Sequence, residues 1–450
     1  MQPSGYVRQL RSLVKLLTKD KDLAFRASQI RELLTTQTAR NSGFIFAGNL
    51  ASTFISVFAT MLVSRSLGPS NFGKLAIFTS VYTIILGLTD FGLGTTSVKI
   101  ISSRLEKSPR KAGITMKVVI WAELIAGLLV ATVGFLFAPL IARMLGSEDL
   151  LSIVRMAFVA GAFASAGAFI GPFLSAFQQF AKSAIFGVVN SAIKTLGVFV
   201  LFYLAILNLD NVVILYTVVN IFAFFVGFIL IPKNYLVSSK KGENKEAASE
   251  IFHFSKWILL SYVASVISSR LDIFLLQRYH GSEAVGLYAA AQQLAMLLPL
   301  FIGAITTALL PRISKMKSRD EFSGYLKRVM FGSITMALLA TPLLLLAPLV
   351  VRIIFGVQYV DTALYLQILA FGYLFALIAN PVSLVFYARD KPKVLTALNY
   401  FNLVIITALF FLIIPKFGAL GAALCFAFNN FLAMALIIPL AINEIKKIKK

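Results

Sequence analysis

The 450-residue chain has one cysteine, two histidines and nineteen acidic residues, and charged residues of both signs make up only 14% of it. Each scarcity removes a class of answer. With Cys425 alone, no intrachain disulfide and no thiolate metal cluster can form. His253 and His280 are too few and too far apart in sequence for a metal site. Paired carboxylates at catalytic spacing and a glycine-rich phosphate loop are both missing, so neither an enzyme nor a cofactor is expected. What remains is 58% apolar and includes forty phenylalanines. A soluble domain carries about 25% charged residues and is less apolar than this. The composition points to lipid as the solvent.

A helix needs about twenty apolar residues to cross ~30 Å of hydrocarbon. Cutting the chain at charged, Pro- and Gly-containing loops predicts twelve such spans. Six cover 42–64, 74–96, 117–142, 152–177, 184–207 and 211–231, and six cover 256–278, 285–310, 325–352, 362–387, 394–414 and 418–442. The net charge of +23 would suggest nucleic acid in a soluble protein, but here its distribution is topological. Of 42 Lys and Arg residues, 33 fall on the side of the N-terminus: in the tail, around 99–117, at Lys182, around 233–256, around 312–328, in 389–393 and at the C-terminus. Seven lie on the other side (Arg65, Lys74, Arg143, Arg155, Arg278, Arg352, Lys416) and two, Lys194 and Arg270, inside spans. The positive-inside rule therefore predicts a multi-pass protein of the cell membrane with both termini cytoplasmic, and argues against a nucleic-acid partner.

Residues 1–40 hold eight Lys or Arg and no apolar core of signal-peptide length. Val7, Leu10, Val14 and Leu17 recur at helical spacing among basic residues. An amphipathic helix on the inner membrane surface and a solvated tail both fit. The expected organisation is this tail (1–40), a first six-helix lobe (41–232), a cytoplasmic linker (233–250) and a second six-helix lobe (251–450).

The two halves share a motif. Arg65-Ser-Leu-Gly68-Pro-Ser-Asn-Phe-Gly73-Lys-Leu-Ala76 aligns with Arg278-Tyr-His-Gly281-Ser-Glu-Ala-Val-Gly286-Leu-Tyr-Ala289 at a constant offset of 213. Both copies follow the first span of a half. An even number of spans per half gives the copies one orientation, related by an axis along the membrane normal. The expected architecture is all-α: two six-helix bundles under a pseudo-two-fold, with a central cleft between them.

The same residues carry a family resemblance. Leu67-Gly-Pro-Ser-Asn-Phe-Gly-Lys-Leu-Ala76 resembles the outer-loop signature of polysaccharide-repeat-unit flippases of the Wzx type, in the MOP (MATE-like) exporter superfamily. Thr89-Asp-Phe-Gly-Leu-Gly94 resembles their second span, and Ile414-Pro-Lys-Phe-Gly418-Ala-Leu-Gly421-Ala-Ala423 their penultimate hairpin. The likeness covers about 42–442. It implies alternating access and movement of a polyisoprenyl-(pyro)phosphate-linked oligosaccharide from the inner to the outer leaflet, for surface polysaccharide assembly. Glycosyltransferases and a polymerase of the same pathway would be its partners, together with membrane lipids and a coupling H+ or Na+ if transport is coupled.

A charge at mid-membrane costs at least ~2.5–3.5 kcal/mol, so such residues are functional candidates. Lys194, in span five, either meets the anionic phosphates of the substrate or pairs with an acid. Arg270 and Asp272, in span seven, point ~200° apart and do not pair directly. Arg270 either faces the cleft or bridges to another helix. Asp90, Glu123 and Asp272 are candidates for ion coupling, with ion pairing as the alternative for the first two. Arg65 and Arg278, at the outer ends of spans one and seven, either contact substrate or snorkel to headgroups. Amides within spans, Asn49, Asn190 and Asn380 among them, serve either as helix–helix contacts or as walls of a sugar-accommodating cleft. His253 beside Lys256 and Trp257 reads as an interfacial anchor.

Two transporters of other substrates compete. A multidrug exporter of the same superfamily would line its cleft with acids and aromatic or apolar groups, whereas Lys194 and Arg270 suit an anion. A lipid II flippase differs in its sugar and in having two further helices.

Overall fold

In the computed structural model the described residues are 37–90, 93–105, 107–231, 242–314, 316 and 318–448. Most of the basic tail, and residues 232–241 of the linker, lie outside them, as do the side chains of His253, Lys256 and Trp257. The described residues form thirteen α-helices and no strand. In the first half these are α1 (Gln37–Asp90), α2 (Leu93–Leu105), α3 (Pro109–Met144), α4 (Leu151–Ala168), α5 (Ile170–Ala176), α6 (Phe180–Tyr203) and α7 (Leu209–Leu230). In the second they are α8 (Glu243–Ala295), α9 (Leu297–Ile313), α10 (Arg319–Leu345), α11 (Ala347–Ile354), α12 (Thr362–Ala388) and α13 (Pro392–Lys446).

Eight helical stretches among the described residues are long and apolar enough to cross a membrane. Three of the helices, with 54, 53 and 55 residues, would each be about 80 Å long if straight, far beyond the hydrocarbon thickness. Each is interrupted by one glycine with non-helical backbone angles: Gly68 (φ 71°), Gly281 (φ 78°) and Gly418 (φ 56°). Positive φ is readily adopted only by glycine, and Pro69, with φ already fixed and no N–H to lose, restarts the second arm of α1. Thus the motif found twice in the sequence is the turn of α1 and of α8. Pro139 lies inside an uninterrupted α3, whereas the span over 152–177 divides at Phe169 into α4 and α5.

Helix α1 packs along α8, α6 and α4, and α8 packs in turn on α13 and α12. The largest core cluster draws on both halves, from Val63, Phe78 and Val154 to Leu276, Tyr288 and Ile414. A smaller cluster around Met116 and Phe173 lies in the first half except for Ile251 of α8, and another, around Phe322 and Val385, lies in the second. Large apolar side chains cover the outside: Leu136 of α3 is 70% exposed and Phe331 of α10 76%. In water such a surface would aggregate, and in a bilayer it is the solvated face.

At the end that carries Gly68 and Gly281 the halves are in direct contact. A methyl group on Gly73 would collide with the carbonyl oxygen of Ser282, and one on Gly286 with that of Pro69. The collisions are reciprocal: the 213-residue offset relates both the two glycines and their two partners. Only hydrogen in place of a side chain lets the turns approach so closely. Beside them Phe72 meets Tyr359 edge-on at 6.2 Å, and the Tyr359 hydroxyl donates to the carbonyl of Ser64 at 3.0 Å.

Candidate functional site

Where α1, α6 and α7 face α8 and the start of α9, they enclose a cavity of about 430 Å³. Lys194 of α6 and Arg270 of α8 both line it, one from each half. Hydroxyls of the α1 arms, Ser52, Thr53, Ser56, Thr60, Thr79 and Ser80, cover one wall, and Gln292 and Gln293 lie on the other. Among the described residues the lining has no aspartate or glutamate. A second cavity of about 160 Å³ adjoins it on the first-half side and shares Ser56, Thr79, Lys194 and Tyr216 with it.

The two cations are held by different means. Lys194 has no carboxylate partner among the described residues, and its Nζ sits 3.5 Å from the centroid of the Tyr216 ring. Such a contact contributes about 0.5–2 kcal/mol and partly offsets the missing counter-ion, while leaving N–H donors for another group. Arg270 has a buried Nε without a hydrogen-bond partner. Asp272, two residues on and 5% exposed, lies within electrostatic reach of Arg270 but makes its hydrogen bonds elsewhere. Its Oδ1 accepts from the backbone N–H of Ile273 at 2.8 Å, and Oδ2 accepts from the Tyr288 hydroxyl at 2.9 Å and from Gln292 Nε2 at 2.8 Å. Asp272 therefore orients Gln292, which does line the cavity.

Of the other candidates, Asn190 lines the smaller cavity, one helical turn before Lys194. Arg65 and Arg278 are at neither cavity. Arg65 donates through Nε to the carbonyl of Ile354 at 3.0 Å and through Nη2 to that of Ile353, which satisfies the end of α11 and ties it to α1. Arg278 lies against Gly146 at the end of α3. Asn49 and Asn380 are exposed and also off the cavities, Asn380 donating to the carbonyl of Ala376 at 2.9 Å.

Asp90 and Glu123 lie apart from both cavities. The Oδ1 of Asp90 accepts from the backbone N–H of Gly94 at 2.8 Å and so fixes the start of α2. Glu123, 2% exposed on α3, has an Oε2 without a hydrogen-bond partner and is within electrostatic reach of Asp90.

Tyr216 is the residue that reasoning from sequence missed, since an aromatic in an apolar span reads as lipid-facing. Spacing could have found it. Asn190 and Lys194, Tyr216 and Asn220, and Phe78 and Tyr82 are all i, i+4 pairs, each presenting one face of its helix to the same small cavity.

Comparison with known proteins agrees with this picture. Residues 38–317 match the family model described as polysaccharide biosynthesis protein. The chain is 30% identical over 180 residues to a putative O-antigen transporter of Shigella flexneri, covering 39% of this chain and 42% of that protein. It is 26% identical over 204 residues, 43% of each chain, to a probable low-salt glycan biosynthesis flippase of Haloferax volcanii. The chain thus spans well under half the length of these two curated relatives. Its fold is similar to that of a solved structure of the lipid II flippase MurJ, itself in an inward closed conformation, with a TM-score of 0.73 over 90% of this chain and 89% of that one at 16% identity. The chain is a multi-pass membrane protein and belongs to the polysaccharide biosynthesis protein family.

Proposed function

We propose that this protein moves a polyisoprenyl-(pyro)phosphate-linked oligosaccharide from the cytoplasmic to the outer leaflet by alternating access. The observation that carries the reading is the cavity between the halves: two cations, one from each, and no acid among the described residues of its lining. A pyrophosphate placed between Lys194 and Arg270 receives charge-assisted hydrogen bonds from both sides. These are stronger in a site shielded from water than at a surface. The hydroxyls and amides around them suit a glycan. A cationic drug would meet like charge there and no carboxylate, so the multidrug reading loses its main support.

On this reading the three glycine-interrupted helices each supply two spans. Counted so, and with α10 added to the eight span-length stretches, the total is twelve, in two bundles related by a pseudo-two-fold along the membrane normal. The lysine- and arginine-rich side is cytoplasmic. The Gly73–Gly286 contact then closes the outer side, and opening to the outer leaflet requires the turns to part. Asp90 and Glu123 are the residues proposed to couple movement to H+ or Na+, with Asp272 as a positioning residue for Gln292. Glycosyltransferases would supply the substrate and a polymerase would consume it.

The test is complementation. Lys194→Ala and Arg270→Ala, singly and together, are expressed in a flippase-deficient cell and surface polysaccharide is measured. Each single variant should lower it and the double should abolish it, with membrane levels of protein unchanged. Wild-type polysaccharide from the double variant would sink the phosphate role.

A further inference from the structure

The smaller cavity has a chemistry distinct from that of the larger one. Its wall is built from Phe78 and Tyr82, whose rings stack nearly parallel at 6.4 Å and 11°, and from Asn220. The Tyr82 hydroxyl donates to Asn220 Oδ1 at 3.2 Å, and Asn220 Nδ2 donates to the carbonyl of Tyr216 at 2.8 Å, so this wall is fixed. Asn190 and Ser191 on the facing helix have no side-chain hydrogen-bond partner among the described residues, although both line the cavity. An amide offers a donor and an acceptor side by side, and serine adds a hydroxyl that does either. A volume of about 160 Å³ is space for about five waters, taking ~30 Å³ for each. It is also the size of a single pyranose ring.

We infer that this cavity is a subsite for one sugar ring, the one attached directly to the lipid phosphate. The inference rests on the lipid-linked glycan reading and adds where the first sugar sits and which residues select it. Lys194 stands at the join of the two cavities. A phosphate held there places the C1–O–P linkage at the mouth of the small cavity, and the ring enters it. The aromatic wall meets the ring's C–H face, and Asn190 and Ser191 meet its hydroxyl or acetamido groups. The rest of the glycan runs back into the larger cavity between the halves. An isoprenoid chain is a poor occupant, because it would cover Asn190 and Ser191 without offering either a hydrogen-bond partner.

The experiment measures binding to the full chain in nanodiscs. The probes are undecaprenyl pyrophosphate and the same lipid carrying one sugar, from a panel of glucose, galactose, mannose, N-acetylglucosamine and N-acetylgalactosamine. At least one glycosylated probe should bind about tenfold more tightly than the sugar-free lipid, or 1.4 kcal/mol. In Asn190→Ala/Ser191→Ala that preference should vanish while the sugar-free affinity stays at the wild-type value, which also certifies the fold. Equal affinities across the panel in the wild type, or a preference that survives in the variant, would overturn the subsite and leave the phosphate site standing. Failure of every probe, sugar-free included, to bind the wild type would overturn the lipid-linked reading and the subsite with it.

Discussion

Replacing Gly286 by alanine isolates the contact that holds the two halves together at the turn end. The added methyl would overlap the carbonyl oxygen of Pro69 and approach the backbone nitrogen of Gly73. Both are main-chain atoms, so no rotamer change can relieve the overlap, and the turns must separate. Overpacking of this kind costs about 1–3 kcal/mol. That cost falls only on the conformation in which the turns touch. The population ratio of closed to open should therefore fall by about 5- to 150-fold. Gly73→Ala should do the same through Ser282. The double variant should add little, because turns parted by one methyl have room for the second. Spin labels at Ser70 and Glu283, both exposed, report the separation, and buried Cys425 does not interfere. Gly286→Ala should shift the distance distribution outward. An unchanged distribution in a folded variant would refute the argument that these glycines hold the end closed.

Three further outcomes follow from the side-chain contacts. Tyr216→Phe keeps the ring beneath Lys194 and should support near wild-type export, whereas Tyr216→Leu removes about 0.5–2 kcal/mol of cation–π contact and should lower binding of an anionic lipid several-fold. Glu444, 5% exposed, accepts from Lys391 Nζ at 2.6 Å and lies within 4 Å of Arg389 and Lys447. Glu444→Ala should destabilise the second half by about 1–3 kcal/mol, read as a lower melting temperature in detergent. Arg104 and Arg110 pair with Glu250 and Glu243, joining α2 and α3 to the first turns of α8, but all four are partly exposed. Neutralising either pair should cost no more than about 1 kcal/mol, an effect that added salt should diminish.

Much of the fold was legible because lipid imposes coarse rules. Hydrophobic length located the helices, and the Gly68 and Gly281 motif located two turns whose backbone only glycine adopts readily. The candidate site was legible where a rule of energy applies: Lys194 and Arg270 are costly in a membrane, and they line one cavity. What spacing could not give was direction. Arg65 resembled Arg278 and both resembled cavity residues, but Arg65 is drawn to the carbonyls that end α11, a long-range partner invisible along the chain. The division of the cavity is likewise a tertiary fact. Asn190, Tyr82 and Asn220 come from three helices and meet only when these pack.

Transport itself is the most direct test. Full-length protein is reconstituted in liposomes carrying a fluorescent undecaprenyl-pyrophosphate oligosaccharide, and its appearance in the opposite leaflet is followed with a membrane-impermeant quencher. The proposed transport requires transfer by the wild type well above protein-free liposomes, and transfer near that background for Lys194→Ala/Arg270→Ala. A wild type no faster than empty liposomes, or a double variant as fast as the wild type, would contradict it.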